Sequence, residues 1–64
     1  MKTLHLLMSP GAIESARHQI QPGDQWVSFG RPADLGGLGY EYGVDMDAIG
    51  LVRLMNAAER IETW

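Results

Sequence analysis

Two short apolar segments, separated by one amphipathic segment, lie within the first thirty residues of the chain. Residues 2–8, KTLHLLM, form a mostly apolar run that is too short for a typical helix, and residues 25–29, QWVSF, form another between two glycines. Such runs are typical of strands buried in a sheet. With a helix between them they predict a βαβ unit, whose strands are parallel and whose crossover is right-handed.

The segment between the two strands has the pattern of an amphipathic helix. Ile13, Ala16 and Ile20 recur at helical spacing, and polar residues occupy the other side. Ser9 is expected to cap this helix with Pro10 at its first position, because hydroxyl side chains and proline favour those sites. The Pro-Gly pair at 22–23 is expected to end it.

The second half of the chain predicts one more helix and one more strand. Residues 30–43 contain five glycines, which favour a loop with at most a short extended piece at 40–42. A helix capped by Asp45 or Asp47 should then run to about Ala58. Residues 60–64 follow it as a short strand that ends on an aromatic side chain.

The predicted fold is therefore α/β, with a small, mainly parallel three-stranded sheet and two helices in the order β-α-β-loop-α-β. At about 100° per residue, the apolar side chains of the second helix cover roughly 220°, far more than one-sided packing needs. Such a helix is either sandwiched inside the domain or in contact with another chain. Its apolar members are Ala48, Ile49, Leu51, Val52, Leu54, Met55 and Ala58.

Size and composition favour a single domain, residues 1–64, that associates with another chain. A chain of 64 residues builds only a marginal core, and it has no cysteine for a disulfide. The absence of cysteine also excludes protein thiol chemistry. A net charge of −3 argues against binding to nucleic acid or to an anionic membrane surface. Without a long apolar run or a signal peptide, a cytoplasmic location is expected.

No pattern of catalytic, metal or cofactor residues stands out. His5 and His18 lack metal-ligand spacing, and His5, in a buried strand, is expected to be packed or hydrogen-bonded. Residues 9–12 could present backbone donors to an anion, but helix capping alone explains them and is the favoured interpretation. Aromatic side chains and the wide apolar arc are better signs of an interface. The interface candidates are Tyr40, Tyr42, Leu51, Leu54, Met55 and Trp64.

Both ends of the chain contain motifs in a distinctive order. The chain opens with LHLLMSP, followed later by a GD pair, and it closes with DAIGLVRLMNAAERIETW, preceded by DL and GL at 34–38. These motifs resemble those of the TusB/DsrH family, the smallest of three related subunits of sulfur-relay complexes. They are similar to its first strand, the turn before its second strand, and its last helix and strand with a C-terminal Trp. Family members carry a further helix and strand between Phe29 and Asp34, so this chain resembles a shortened member.

The resemblance implies a doubly wound α/β domain that acts as a non-carrier subunit, without cofactors. In such complexes a cysteine-bearing companion of the TusD/DsrE type carries sulfur toward tRNA thiolation or sulfur oxidation. We therefore expect a non-catalytic interaction subunit whose partners are TusC- and TusD-like (DsrF- and DsrE-like) proteins or a second copy of itself. Two alternatives stay open: a stand-alone α/β module that binds an anion or another ligand, and a homodimeric relic without a relay role.

Overall fold

The computed structural model describes residues 2–30 and 35–64. In these residues four strands form one sheet in the order β3-β2-β1-β4, and every neighbouring pair is parallel. The α/β fold and the parallel sheet are confirmed, and the sheet has four strands where the sequence predicted three. The elements are β1 (Thr3–Leu7), α1 (Ala12–Arg17), β2 (Gln25–Phe29), β3 (Leu38–Tyr42), α2 (Ala48–Ala57) and β4 (Arg60–Thr63).

The additional strand, β3, lies in the segment predicted to be a loop, and its last three residues are the short extended piece expected at 40–42. All five of its residues pair with β2, from Gln25 beside Leu38 to Phe29 beside Tyr42. Gly39 was interpreted as a turn residue, but in the structure it allows the indole ring of Trp26 to lie close to the backbone of β3. A Cβ at this position would overlap that ring. Residues 31–34 of the predicted loop lie outside the described part of the chain.

The helices pack on opposite sides of the sheet. On the α1 side, Ala12 and Ala16 pack with Leu7 and Trp26. On the α2 side, the strand residues Leu4, Leu6 and Val27 form a second cluster, which receives Leu51, Leu54 and Ala58. Neighbouring residues of β1 thus point to opposite sides, as the alternation of side chains along a strand requires.

Helix α1 begins later than predicted. Its N-cap is Gly11, which makes no side-chain capping bond, and its first residue is Ala12. Ser9 contributes its carbonyl oxygen, which accepts from the Ala12 N–H at 3.0 Å. The prediction of Ser9 as the cap and Pro10 as the first helical residue is therefore wrong, because a backbone turn at residues 9–12 precedes the helix.

Helix α1 also ends earlier than predicted. Its last residue is Arg17, so the Pro-Gly pair at 22–23 does not terminate it. The amides of Gln19 and Ile20 both donate to the Ala16 carbonyl, at 2.8 and 3.1 Å, which closes the helix in a tight turn. Ile20 still packs against the α1-side cluster, so the predicted apolar stripe is kept although the helix is shorter.

Helix α2 and strand β4 agree with their predictions. Asp47 is the N-cap of α2, and its Oδ1 accepts from the Gly50 N–H at 3.0 Å. The helix ends at Ala57, next to the predicted Ala58, and β4 pairs with β1 immediately afterwards. Neither helix of residues 2–30 and 35–64 has the length and apolarity that a membrane crossing requires.

Candidate functional site

Helix α2 covers the sheet with one side only. None of its residues is fully buried. Leu51 and Leu54 are half-buried against the sheet, whereas Ile49 and Val52 keep 64% and 53% of their surface exposed. Met55 is exposed as well, at 36%. The wide apolar arc is thus divided between an inner half that builds the core and an outer half that faces solvent.

Two adjoining depressions shape the outer side of α2. An apolar groove is lined by Ala48, Ile49, Val52 and Arg53. A larger depression of about 580 Å³ lies beside the N-terminus of the helix and is lined by residues 43–47 together with Ile49, Gly50 and Arg53. Since Ile49 and Arg53 line both, the depressions form one continuous surface. The α2 outer face is defined here as Ala48, Ile49, Val52, Arg53 and Met55.

Charged groups of opposite sign flank this face. Asp45 Oδ2 accepts from the Glu41 N–H at 2.7 Å, and Asp47 Oδ1 is used by the helix cap. Both aspartates are exposed, and hydrogen bonds with the protein are found at only one oxygen of each within residues 2–30 and 35–64. Arg53 forms no ion pair with the described residues.

The aromatic interface candidates make contacts within their own chain. Tyr40 and Tyr42 are half-buried on the α2 side, where Tyr42 stacks on Phe29 with ring centroids 5.2 Å apart. Trp64 is half-buried and stacks on His5 with centroids 6.1 Å apart. Of the six candidates, Met55 is exposed and belongs to the α2 outer face; Leu51 and Leu54 lie on the inner side of the same helix.

A buried polar network lies on the α1 side of the sheet. His5 and Asp24 are 3% and 5% exposed, and His5 Nε2 lies 2.9 Å from Asp24 Oδ2. The same carboxylate accepts from the backbone N–H groups of Thr3, at 3.1 Å, and Gln21, at 3.0 Å. On the other edge of the imidazole, Trp64 Nε1 donates to His5 Nδ1 at 3.1 Å. The expectation that His5 is hydrogen-bonded is confirmed.

The network fixes the tautomer of His5. An indole nitrogen can only donate a hydrogen bond, so Nδ1 of His5 must accept. The proton of the neutral ring then lies on Nε2, from which it is donated to Asp24. The two contacts thus give the two ring nitrogens of His5 different roles, with Nδ1 as acceptor and Nε2 as donor.

Asp24 is held as a carboxylate. Burial by itself raises the pKa of Asp24, but the hydrogen bonds from His5, Gln21 and Thr3 lower it further than burial raises it. The net pKa therefore lies below the ordinary value of 3.8. Asp24 is a fixed acceptor that ties together the start of β1, the turn before β2 and, through His5, the end of the chain at Trp64.

The polar groups of this network bond to groups within the protein. Both nitrogens of His5 and both oxygens of Asp24 have partners inside the protein. His5, Asp24 and Trp64 themselves line a polar cavity of about 260 Å³, and the charged side chains Arg60 and Glu62 on its rim pair with each other. The hydrogen bonds of the network join β1, the turn before β2 and the end of the chain.

The sequence analysis found His5 but missed its partner, Asp24. The register supplies the signal: β1 and β2 are parallel with Leu4 beside Gln25, which places Asp24 level with Thr3 on the side of the sheet that His5 faces. A histidine in a buried strand needs a polar partner, and the parallel pairing leaves Asp24 as an acidic residue within reach.

The start of α1 offers little to an anion. The helix has only six residues, and Glu14 in its first turn places a negative charge where an anion would bind. Among residues 2–30 and 35–64, no group of three His, Cys, Asp or Glu side chains is arranged to hold a metal ion.

Comparison with known proteins gives no relative from which a role could be transferred. No protein-family model matches the chain, and neither a curated protein nor a solved structure matches it.

Proposed function

We propose that this chain is a non-catalytic interaction subunit of the kind that its resemblance to the TusB/DsrH family implies. The observation that carries the proposal is the α2 outer face, a continuous apolar surface on a helix whose inner side already completes the core. Monomeric proteins rarely expose large contiguous apolar patches, and those that do generally use them for binding.

The shape and chemistry of the α2 outer face suit a protein partner. Ile49 and Val52 form an apolar centre, Arg53 and the two aspartates form a charged rim, and the surface is open and shallow. An apolar centre with a polar rim is the usual anatomy of a protein interface, whereas small-molecule sites are concave and enclosed. The α2 outer face therefore favours docking of another folded chain.

The non-catalytic role is supported by the chemistry of the side chains. The chain contains no cysteine that could carry sulfur as a persulfide. Its most enclosed titratable pair, His5 and Asp24, is fully engaged in structural hydrogen bonds. In this proposal the partners are TusC- and TusD-like proteins, of which the TusD-like one supplies the reactive thiol, and this subunit positions it.

Co-expression with TusC- and TusD-like companions tests the proposal. We expect the companions to co-purify with the tagged wild-type chain and to be lost with Ile49→Asp, because the substitution places a charge on the apolar centre. Leu38→Asp is a suitable control: Leu38 is 54% exposed at the start of β3 and does not line either α2 depression. A wild-type chain that captures neither companion would contradict the relay role.

A further inference from the structure

We propose that the α2 outer face pairs with the same face of a second copy of this chain, with the two helices antiparallel about a twofold axis. The inference rests on the part of the proposed function that makes this face an interaction surface, and it names a partner. The structure supports it through the distribution of charge along the helix, the position of the charges around it, and the small size of the core.

The charges along α2 are self-complementary. Arg53 lies six residues after Asp47, about 9 Å along the helix axis. The apolar residues Ala48, Ile49 and Val52 lie between them and centre near position 50. A twofold axis at that level, perpendicular to two antiparallel helices, brings position 53 of one copy level with position 47 of the other. The basic end of each helix then faces the acidic end of its partner.

The charges also lie on the correct flank. A twofold axis that lies midway between the two helices, perpendicular to both, reverses the position of each residue along the helix axis. It leaves the residue on the same side of the helix pair. Arg53 lines the same 580 Å³ depression as Asp45 and Asp47, so it shares their flank. In the pair, the partner's Arg53 enters this depression, where each aspartate keeps one carboxylate oxygen away from its backbone hydrogen bond.

The small core of the chain also favours pairing, because pairing would bury additional apolar surface. In residues 2–30 and 35–64 only seven apolar residues are buried, and the chain has 4,095 Å² of accessible surface. A standard interface covers about 800 Å² on each partner, which is about a fifth of that surface. Pairing along α2 buries Ile49 and Val52, which are otherwise more than half exposed, and places a second apolar layer outside the helix.

Sedimentation equilibrium of the chain alone, over a range of concentrations, tests the pairing. We expect a monomer–dimer equilibrium for the wild type, with Kd in the micromolar range. Val52→Asp should raise Kd at least about 100-fold, because the symmetry brings two added carboxylates close to the axis. Leu38→Asp is the matched control, since Leu38 and Val52 have nearly equal exposure, 54% and 53%, and it should leave Kd unchanged. Circular dichroism verifies that each variant is folded.

A second set of variants tests the antiparallel arrangement. Arg53→Gln should raise Kd by about tenfold, because the twofold axis repeats the lost contact. The double variant Asp45→Asn, Asp47→Asn removes the charges but keeps a carbonyl oxygen for the Glu41 and Gly50 N–H groups. It should raise Kd to a similar extent. All three substitutions together should do little more than either set, because they remove the same contacts.

Several outcomes would overturn this pairing. A wild-type chain that stays monomeric up to roughly 1 mM excludes it, as does a dimer that tolerates Val52→Asp. Additive effects of the charge variants exclude the antiparallel contact. The proposed function can be judged separately: a monomer that binds the companions through Ile49 overturns only the pairing, and a dimer that ignores the companions overturns only the relay role.

Discussion

The two sides of the sheet are stabilised by different interactions. On the α1 side, Trp26 lies against Gly39 and donates from Nε1 to the Gly36 carbonyl at 2.8 Å. The Asp24 carboxylate accepts three hydrogen bonds on the same side. On the α2 side, leucines of the helix pack on Leu4, Leu6 and Val27. Directional contacts fix the first side in one arrangement, whereas apolar packing on the second tolerates adjustment.

The two sides also differ in how much apolar surface they leave exposed. On the α1 side, the side chains of His5, Asp24 and Trp64 are bonded to one another. The α2 side builds its core with half of a helix and leaves the other half, including Ile49 and Val52, in solvent. The following variants test two expectations: that substitutions on the α1 side are strongly destabilising, and that α2 has a buried inner side and an exposed outer side.

The largest effect is expected from Gly39→Ala. The added Cβ would overlap the Trp26 indole, which is held in place by its bond to Gly36. Either the ring or β3 must move, so we expect a loss of about 3 kcal/mol or more in the free energy of unfolding, measured with urea. Gly11→Ala is the control: Gly11 has an ordinary φ of −83° and open space around it, and a change within about 0.5 kcal/mol is expected. Equal effects of the two variants would contradict the close fit on the α1 side.

Asp24→Ala should cost nearly as much. It leaves the N–H groups of Thr3 and Gln21 and the Nε2–H of His5 without their acceptor in a buried site. Each unsatisfied buried donor is costly, and we expect a loss of about 3 kcal/mol in urea unfolding. A loss below about 1 kcal/mol would show that the network does not hold the α1 side together.

Asp24→Asn provides the control and a pH test. The asparagine keeps one oxygen acceptor but loses the charge. Since the pKa of Asp24 is lowered in the folded state, its contribution to stability is full above the ordinary pKa of 3.8 and is lost as the pH falls through the lower folded value. The wild type should therefore lose stability below about pH 4, by at most about 1.4 kcal/mol per pH unit from this group. Unfolding of Asp24→Asn should have a shallower acid limb.

A paired substitution on α2 tests the division of that helix. Leu51→Ala removes a side chain that packs on the α2-side cluster and should lower the unfolding free energy by about 2 kcal/mol. Val52→Ala, one residue further on, changes an outward-facing side chain. At concentrations where the chain is monomeric it should cost less than about 0.5 kcal/mol. Similar losses for both variants would mean that the helix has no distinct outer side.

The sequence predicted this fold well where patterns were local. The apolar runs of β1 and β2 and the aspartate-capped α2 are each determined by residues close together in the chain. Strand β3 was predicted only as a short extended piece at 40–42. Glycine generally indicates a turn, and the reason for Gly39 is its contact with a residue distant in sequence, Trp26. Helix α1 was predicted to be longer than it is, because both of its ends are set by backbone hydrogen bonds in turns that the residue types did not indicate.

The candidate site was less predictable than the fold. The width of the apolar arc predicted that α2 has more apolar surface than the core needs. Which apolar residues of α2 face solvent depends on how the helix packs on the sheet, and the sequence did not indicate this. Asp24 was missed because its role depends on the register of β1 with β2. Its residue type, next to Gly23 before a strand, otherwise indicates only a turn.

The smallest loss of stability expected on the α1 side, apart from the Gly11→Ala control, is that of Trp64→Phe, which separates packing from hydrogen bonding. Phenylalanine keeps an aromatic ring to stack on His5 but cannot donate to Nδ1. Loss of one hydrogen bond should lower the unfolding free energy by about 1 kcal/mol. Nitrogen chemical shifts of His5 give a more specific measurement: in the wild type they should show a proton on Nε2 and none on Nδ1, and the variant should relax that preference. A wild-type ring protonated at Nδ1 would mean that Trp64 does not set the tautomer, and the α1 side would then owe its rigidity to Asp24 and the fit at Trp26.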